Sequence, residues 1–443
     1  MNINPPAPMM PPTVTPTENL PSPHTEPDTR PAADTYWNGV DNLATRSSRW
    51  IDKDGNGKID IEVDFSAGPG SYFKKLGLTG HSELSAEQKQ ELIDQMIDIS
   101  LETNLVFHDK GTLEKPDGTI NFGNFAPVPS NGKNLVQVNF PENASAPHNP
   151  ERPDEPAEAY VRGDARNLKA NARNRGGHAL AHALLHALGL PHPNPDDKSN
   201  KPANPTDSQG YSLLSSVPET ATGHDFQGNY VTRAQLHDMA SLQVRYGANS
   251  ESRNKSLETY YDATFITQSD TPVTLTIASG DGDETLLADK DTHDQHINLN
   301  HGTFSSIGGF TNNIAITRGT HIEDVATGSG TNKIIASTVT NLIILGSGQN
   351  TVVFKNSWDS TPRDTDILHH FKSGTDKIDI SEFSQKLYNG TFTGGTPHLD
   401  IEKAANGASY VRYWSVYNPA DPSQPDFKVR ADGVQMSDII TQK

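Results

Sequence analysis

The sequence contains no cysteine in 443 residues, which excludes disulfide bonds and zinc sites built from thiolates. It has no apolar run long enough for a transmembrane helix, so we expect no membrane insertion. The N-terminus lacks the basic start and apolar core of a secretory signal peptide. Basic residues are scarce, since 36 Lys and Arg stand against 55 Asp and Glu, for a net charge of −19. We therefore expect neither nucleic acid nor an anionic membrane as a partner.

Glycine and proline are plentiful, with 35 and 31 residues, while apolar residues make up 33% of the chain. This balance indicates many turns and loops rather than a helical bundle. The length predicts two domains and a tail. Residues 1–35 are rich in Pro, Thr and Glu and are predicted to form a disordered tail. Residues 36–250 are predicted to be an α+β domain, and residues 251–443 an all-β domain.

The most informative stretch is 177–193, which contains histidines at a spacing suited to a metal. His182 and His186 lie four apart, so a helix presents both imidazoles on one face, one turn apart. Gly189 is able to take the left-handed conformation that ends a helix and turns the chain back, bringing His192 round as a third nitrogen ligand. The pattern H-x-x-x-H-x-x-G-x-x-H predicts a zinc site.

The zinc motif lacks its glutamate. In the HExxH signature this residue directly follows the first histidine and takes the proton from zinc-bound water, whereas here the position is Ala183. A register that begins at His178 places Ala179 there and loses the downstream Gly and His spacing. We interpret His178 as a polar residue near the helix start and predict a metal site without its base.

An acidic turn at residues 52–60 is similar to the first half of an EF-hand calcium loop. Five residues fit loop positions one, three, five, six and nine: Asp52, Asp54, Asn56, Gly57 and Asp60. Position twelve, where a bidentate Glu is needed, is Val63. The same stretch also fits a β-hairpin with Asn56-Gly57 as its two-residue loop, and we favour the hairpin because of the missing ligand.

Further local signals predict the elements around the zinc motif. A capping box at Ser85–Gln88 predicts a helix that ends near Thr103. Thr232 is predicted to cap a later helix that closes at Gly247. Two apolar runs are typical of strands, residues 105–107 and 135–140.

The last part of the chain has a period of nine residues. Residues 328–335 recur as 346–353, and Asn332, Asn341 and Asn350 are each nine apart. This is the period of the parallel β-roll nonapeptide G-G-x-G-x-D-x-U-x, in which the aspartate helps to hold Ca²⁺ between stacked turns. An asparagine offers an oxygen ligand without charge, so calcium affinity should fall, and a ladder of stacked asparagines is an alternative support for the coil.

The better-charged turn of this region is residues 279–285, which carries Asp281 and Asp283. We take these two aspartates, together with Asn332 and Asn350, as the candidate calcium ligands. Because half of this set is uncharged, we expect fewer calcium ions than intact repeats bind.

Taken together, these residues resemble the serralysins, bacterial zinc endopeptidases of the metzincin group with a C-terminal calcium-binding β-roll. The resemblance spans nearly everything after the tail and rests on ordered stretches beyond the zinc histidines: residues 189–193, 245–249, 297–300, 304–309, 322–323 and 374–381. It implies a metzincin-like α+β domain followed by a β-roll, zinc on His182, His186 and His192, and calcium in the roll. It also implies a cleft across the zinc for extended polypeptides, and export through bacterial secretion machinery directed by the C-terminus.

The sequence departs from the family pattern around the zinc. The Met-turn, Ser-Val-Met-Ser-Tyr in the family, is Ser212-Leu-Leu-Ser-Ser216 here, so Leu214 stands for the methionine and Ser216 for the tyrosine that can ligate zinc. Leucine for methionine is a near-isosteric core change that costs under about 1.5 kcal/mol. The loss of the base at Ala183 is more serious, since general base catalysis is worth about 10²–10⁴-fold in rate.

We therefore predict a secreted, monomeric zinc metalloprotease scaffold, exported without a Sec signal peptide and inactive or severely impaired because of Ala183. Its partner is a polypeptide, bound as substrate or ligand. Two alternatives remain open: an inactivated variant of an active endopeptidase that cleaves extracellular proteins, and a non-enzymatic module that binds peptides or proteins. The sequence departs from the family pattern at several positions, which favours a gradual natural loss of activity over one engineered substitution.

Overall fold

The computed structural model describes residues 35–44, 49–127, 135–139, 156–194, 201–249, 258–278, 283–384, 397–415 and 424–442. Within these ranges the α-helices are α1 Thr35–Ala44, α2 Ser71–Lys75, α3 Ala86–Glu102, α4 Arg175–Ala187 and α5 Leu236–Tyr246. None of these helices combines the length and apolarity that a membrane crossing requires. The predicted tail lies, up to residue 34, outside the described residues.

A five-stranded sheet forms the centre of the first half. Its strands are β1 Ile59–Asp64, β2 Leu105–Asp109, β3 Gly118–Phe125, β4 Val136–Val138 and β5 Ala157–Arg162. The order is β2-β1-β3-β5-β4, and only β4 runs antiparallel to its neighbour. The strands predicted at 105–107 and 135–140 are confirmed as β2 and β4, although residue 140 lies outside the described residues.

Helix α3 confirms the predicted capping box. Ser85 is its N-cap and accepts a hydrogen bond from the amide of Gln88, whose side chain accepts one from the amide of Ser85. The helix ends at Glu102 with Thr103 as its C-cap. Two of the first orphan amides of the helix are thus satisfied by residues that lie close in sequence, which explains why the prediction succeeds.

The predicted hairpin at Asn56-Gly57 is wrong. The strand after the turn, β1, pairs in parallel with β2 and β3, and residues 49–58 contain no strand. The turn is closed instead by Asp52, whose carboxylate accepts hydrogen bonds from the amides of Gly55, Asn56 and Gly57. Side-chain hydrogen bonds of this kind offer the backbone an alternative to a strand ladder.

The predicted cap of α5 is also wrong. The helix starts at Leu236, and its capping box is made by Gln235 and Asp238. The hydroxyl of Thr232 donates instead to the carbonyl oxygen of Ala172, 2.7 Å away, which ties this segment to the chain before α4. The end of the helix at Gly247, with φ +85°, is as predicted.

The second half contains strands and no α-helix within its described residues, as predicted. Its strands are β6 Glu258–Asp262, β7 Leu275–Ile277, β8 Asp283–Leu287, β9 Gln295–Asn298, β10 Phe304–Ser305, β11 Ile314–Ile316, β12 Asp324–Ala326, β13 Asn332–Ile335, β14 Leu342–Ile344, β15 Asn350–Val353, β16 Asp366–His369, β17 Lys377–Asp379, β18 His398–Lys403, β19 Ser409–Trp414, β20 Phe427–Ala431 and β21 Ile439–Ile440. They form sheets ordered β18-β19-β20-β16-β14-β12-β8-β6, β21-β17-β15-β13-β9 and β10-β11-β7.

The nine-residue period corresponds to half a turn of a parallel β-roll. Strand β13 pairs in parallel with β15, which places Asn332 beside Asn350, while the intervening β14 pairs with β12 and β16 in the opposite sheet. Ile334, Ile343 and Val352 are fully buried, so both sheets direct apolar side chains into a shared core. The predicted fold class, an α+β domain followed by a β-roll, is confirmed.

The rings of Tyr36, Tyr211 and His237 form a cluster, called the joint below, that connects α1, α5 and the roll. The ring of His237 in α5 packs edge-on to Tyr36 of α1, with centroids 5.7 Å apart, and lies 5.1 Å from the ring of Tyr211. The hydroxyl of Tyr36 accepts a hydrogen bond from the amide of Arg318 in the roll. Glycine is needed at Gly39, because a Cβ there would lie 2.2 Å from the His237 ring.

We predict that the protein loses stability in mild acid through its buried histidines. Burial lowers the pKa of His237 to about 3 and that of His224 to about 4. An unfolded histidine has a pKa of about 6.5, so the unfolded chain binds more protons and the free energy of unfolding falls as the pH drops from about 6.5 towards 4. At pH 4.5 the loss is about 2.5 kcal/mol for each histidine.

Urea unfolding at several pH values measures this loss. The variant His237→Phe keeps a ring in the joint and should show a shallower dependence on pH than the wild type. The control His301→Phe, at an exposed position, should leave the pH dependence of the free energy of unfolding unchanged. Parallel curves for the wild type and His237→Phe would contradict the assignment.

Candidate metal centre

Helix α4 carries two of the three candidate zinc ligands. Asn174 caps its N-terminus by accepting a hydrogen bond from the amide of Gly177, 3.1 Å away. His182 and His186 follow one turn apart, as the spacing predicts. After the helix, Gly189 adopts φ +87°, the left-handed conformation predicted to reverse the chain.

The three imidazoles converge on one point. The Nε2 atom of His186 lies 3.0 Å from Nε2 of His182 and 3.1 Å from Nε2 of His192, and the last two atoms are 3.1 Å apart. A tetrahedral zinc with bonds of 2.0–2.1 Å places its ligand atoms roughly 3.3 Å apart. The donor set therefore fits a single zinc ion.

The protonation of these rings also suits a metal. Nδ1 of His186 lies 2.7 Å from the carbonyl oxygen of Leu190, which only accepts, so Nδ1 carries the proton and Nε2 keeps its lone pair. Burial lowers the pKa of His186 to about 4. Burial also lowers the pKa of His182 well below its ordinary value, and neighbouring imidazoles lower it further. Neutral imidazoles are the form that ligates zinc.

The position of the base offers no proton acceptor. Ala183 is fully buried and belongs to the main hydrophobic core. Across the described part of the chain, the three histidines are the one group of three or more His, Asp or Glu side chains whose ligand atoms converge, and no carboxylate belongs to it.

His178 lies outside the cluster although it shares a face of α4 with the ligands. Its Nδ1 is 2.7 Å from the carbonyl oxygen of Val231, and its ring centroid is 5.8 Å from that of His182. The side chain is buried. Its hydrogen bond attaches the segment around Val231 to the helix, so it is a structural contact rather than only a polar residue near the helix start.

The turn at Ser212–Ser216 is held by a carboxylate that the sequence analysis missed. The hydroxyl of Ser212 and the amide of Leu213 donate to the two oxygens of Asp238, at 2.6 and 2.7 Å. Burial raises the pKa of Asp238 to about 6. Leu214 is buried in the main core, as a methionine substitute requires, whereas Ser216 is exposed. The signal for Asp238 was its place three residues after Gln235, in the first turn of α5.

A group of buried polar side chains, also missed from the sequence, contacts the start of α4. Arg233 donates to Glu91 Oε1 at 2.6 Å, and both side chains are buried. Gln95 donates to the same oxygen and to the carbonyl oxygen of Gly177, each at 2.9 Å. Glu91 and Gln95 lie four apart on the buried face of α3, so polar residues within an apolar stripe were the available signal.

The three candidate calcium ligands that the structure describes do not come together. Asp281 lies outside the described residues, and Asp283 is exposed at the start of β8. The next residue, Glu284, is buried, and its amide donates to the carboxylate of Glu323 at 2.9 Å. Burial, and after it the neighbouring Glu284 carboxylate, raises the pKa of Glu323 above its ordinary value.

Asn332 and Asn350 lie on the other side of the roll, in the five-stranded sheet. Both are buried, and Nδ2 of Asn332 lies 2.9 Å from Oδ1 of Asn350. The structure therefore separates Asp283 from the two asparagines, which are joined directly to each other.

Comparison with known proteins agrees with these features. Residues 238–441 match the family described as Peptidase M10 serralysin C terminal. The chain is 30% identical over 411 residues to a Metallopeptidase AprA of Pseudomonas marginalis, covering 80% of this chain and 81% of that protein. It is 30% identical over 411 residues to a Metalloprotease AprA of Pseudomonas entomophila, covering 82% of each. A Serralysin of Photorhabdus luminescens is 33% identical over 252 residues, covering 49% of this chain and 51% of that protein. With the roll and the histidine cluster, these similarities show that the chain belongs to the serralysin family of metalloproteases.

Proposed function

We propose that this protein is a secreted member of the family that binds zinc through His182, His186 and His192 but has lost efficient proteolysis. One observation supports the proposal: three Nε2 atoms converge within 3.1 Å of one another, while the residue that follows the first ligand is a buried alanine. The metal-binding half of the site is kept and the proton-transfer half is not. We propose that the cleft across the histidines binds extended polypeptides.

Each residue of the site has a distinct role in this proposal. When bound, zinc polarises the peptide carbonyl and acidifies a water molecule. The histidines position the ion, and the hydrogen bond from His186 to Leu190 keeps its ring in the ligating tautomer. The methyl group of Ala183 neither accepts a proton from water nor passes one to the leaving amine, so hydrolysis lacks its general base.

A second candidate is an inactivated variant of an active zinc endopeptidase that cleaves extracellular proteins. The intact histidine cluster and the Asp238 contacts beneath the Met-turn favour it. The departures at Leu214 and Ser216 favour decay instead, because inactivation by a single change leaves those positions alone.

The remaining parts of the proposal rest on family membership. We propose a monomer with a metzincin-like domain at residues 36–250, a roll at residues 251–443, and export through bacterial secretion machinery. We also propose fewer calcium ions than intact repeats hold. Glu284 is buried and Glu323 half-buried, the amide of Glu284 donates to the carboxylate of Glu323, and carboxylate oxygens are ligands that Ca²⁺ takes.

We predict that the purified protein binds one zinc ion per chain and shows no chelator-sensitive cleavage of casein. Metal analysis after zinc loading and gel filtration measures the first result. His186→Ala should lose the metal, whereas His178→Gln should keep it, because His178 lies outside the cluster. Zinc-free wild-type protein would refute the metal assignment, and casein cleavage abolished by a chelator would refute the loss of proteolysis.

A further inference from the structure

The five-stranded sheet of the roll contains a row of buried amide and carboxylate side chains at the starts of its strands. Gln295, Asn332 and Asn350 lie side by side in register, and Asp376 immediately precedes the next strand, β17. Asn332 and Asn350 occupy the position at which the calcium-binding repeat has aspartate. We propose that this amide ladder takes the place of calcium, so that these turns of the roll fold and stay paired without the ion.

The amino groups of the asparagines lie where a cation would be needed. Nδ2 of Asn332 is 2.9 Å from the carbonyl oxygen of Gly328 and 2.9 Å from Oδ1 of Asn350. A carbonyl oxygen only accepts hydrogen bonds, so the group that faces Gly328 is the amino group of the side chain. The positive end of an amide dipole thus faces oxygens that a calcium ion would otherwise neutralise.

The same arrangement repeats one turn further on. Nδ2 of Asn350 lies 3.2 Å from the carbonyl oxygen of Gly346, 3.3 Å from that of Gly348 and 2.9 Å from Oδ1 of Asp376. In two successive turns, therefore, the amino group of an asparagine faces oxygens that would otherwise need a cation. A repeat of this kind follows from the nine-residue period of the sequence, since each full turn returns an asparagine to the same edge.

All but one of the side-chain oxygens of the ladder already accept hydrogen bonds from N–H donors. Oε1 of Gln295 accepts from the amide of Gly328. Oδ1 of Asp376 accepts from Asn350, and its Oδ2 accepts from the amide of Lys372 at 2.7 Å. Among the described residues, Oδ1 of Asn332 is the ladder oxygen without a hydrogen bond.

These residues do not fit a calcium ion. Calcium takes about 6–8 oxygen ligands at 2.3–2.6 Å, with carboxylates supplying the charge. The row from Gln295 to Asp376 has one carboxylate, and amino groups occupy the space between the turns.

The turns are stacked closely. A Cβ at Gly346 would lie 1.9 Å from the carbonyl oxygen of Gly328, and a Cβ at Gly348 would lie 1.9 Å from that of Gly330. Glycine is therefore required for the backbone of one turn to approach the next. The opposite edge of the roll differs, because Glu284 and Glu323 are carboxylates, so the proposal concerns the edge formed by β13 and β15.

Hydrogen exchange of the full-length protein tests the proposal at this edge. Peptides that cover β13 and β15 are followed in EGTA and in millimolar calcium. We expect the wild-type amides of these strands to be equally protected in both solutions. Protection that is lost in EGTA and restored by calcium would overturn the proposal, whatever happens at the opposite edge.

A double variant, Asn332→Asp with Asn350→Asp, supplies the converse test. It restores the aspartates of the calcium repeat and removes the amino groups, so its strands should be unprotected in EGTA. In calcium at about ten times the dissociation constant, exchange should slow by about tenfold, as binding to the folded state alone predicts. Equal protection of this variant in both solutions would count against the ladder.

The matched control adds the same charge without changing the ladder. Thr331→Asp with Gln349→Glu places two carboxylates on the exposed neighbours of the asparagines and should show no calcium dependence in β13 and β15. If the double aspartate variant fails to fold, Asn350→Ala replaces it. That variant should lose protection in β15 to the same extent with and without calcium, and recovery in calcium would refute the proposal.

Discussion

Replacing Ala183 with glutamate is expected to raise the rate of peptide hydrolysis by about 10²–10⁴-fold over the wild type, since that is the usual contribution of a general base. The new carboxylate directly follows His182, where the HExxH signature has its proton acceptor. The three histidines already converge, and Asp238 holds the turn at Ser212–Ser216, so the substitution supplies the missing base to a site whose metal ligands are in place. Hydrolysis of a quenched fluorescent peptide, with and without a zinc chelator, measures the gain.

Ala183→Gln is the matched control for this experiment. It fills the same space as glutamate without offering a base, so it should bind zinc and remain inactive. If Ala183→Glu binds zinc but is as inactive as Ala183→Gln, the loss extends beyond the base. Adding Leu214→Met and Ser216→Tyr would then test the two departures in the Met-turn.

Replacing Arg233 with methionine is expected to lower the free energy of unfolding by about 3–5 kcal/mol, the usual cost of leaving a buried partner charge uncompensated. Arg233 is the cation that faces Glu91, whose carboxylate is buried and also accepts from Gln95. Because Gln95 also binds the carbonyl oxygen of Gly177, disturbing this group also loosens the start of α4. Urea unfolding at neutral pH measures the loss.

Two controls separate the effect of the buried charge on the free energy of unfolding from the effect of packing. The double variant Arg233→Met with Glu91→Leu removes both charges and should recover much of the loss. Asp98, the other carboxylate near Arg233, has a half-exposed side chain and remains hydrated in both variants. Arg430→Met breaks an exposed pair with Asp432 and should cost less than about 1 kcal/mol. A similarly small cost for Arg233→Met would contradict the prediction.

The wrong predictions of the hairpin and of the helix cap share a cause. Asn56-Gly57 is a frequent hairpin loop, and Thr232 is a good helix cap, yet both residues are used differently in the folded chain. The carboxylate of Asp52 closes the first turn, and β1 pairs with strands that follow much later in sequence. The hydroxyl of Thr232 bonds to Ala172, which lies 60 residues away. Local propensity is a weak prior wherever a distant partner offers a better hydrogen bond.

The histidine cluster and the roll could be predicted from the sequence because both depend on short-range geometry. Two ligands one helical turn apart, a glycine that reverses the chain and a nine-residue period are properties of neighbouring residues. Three contacts could not be predicted and became visible in the folded protein: Asp238 with the Met-turn, Arg233 with Glu91, and the facing side-chain atoms of Asn332 and Asn350. These contacts join residues from separate elements, and the free energy of burying a polar group depends on the partner that folding brings to it.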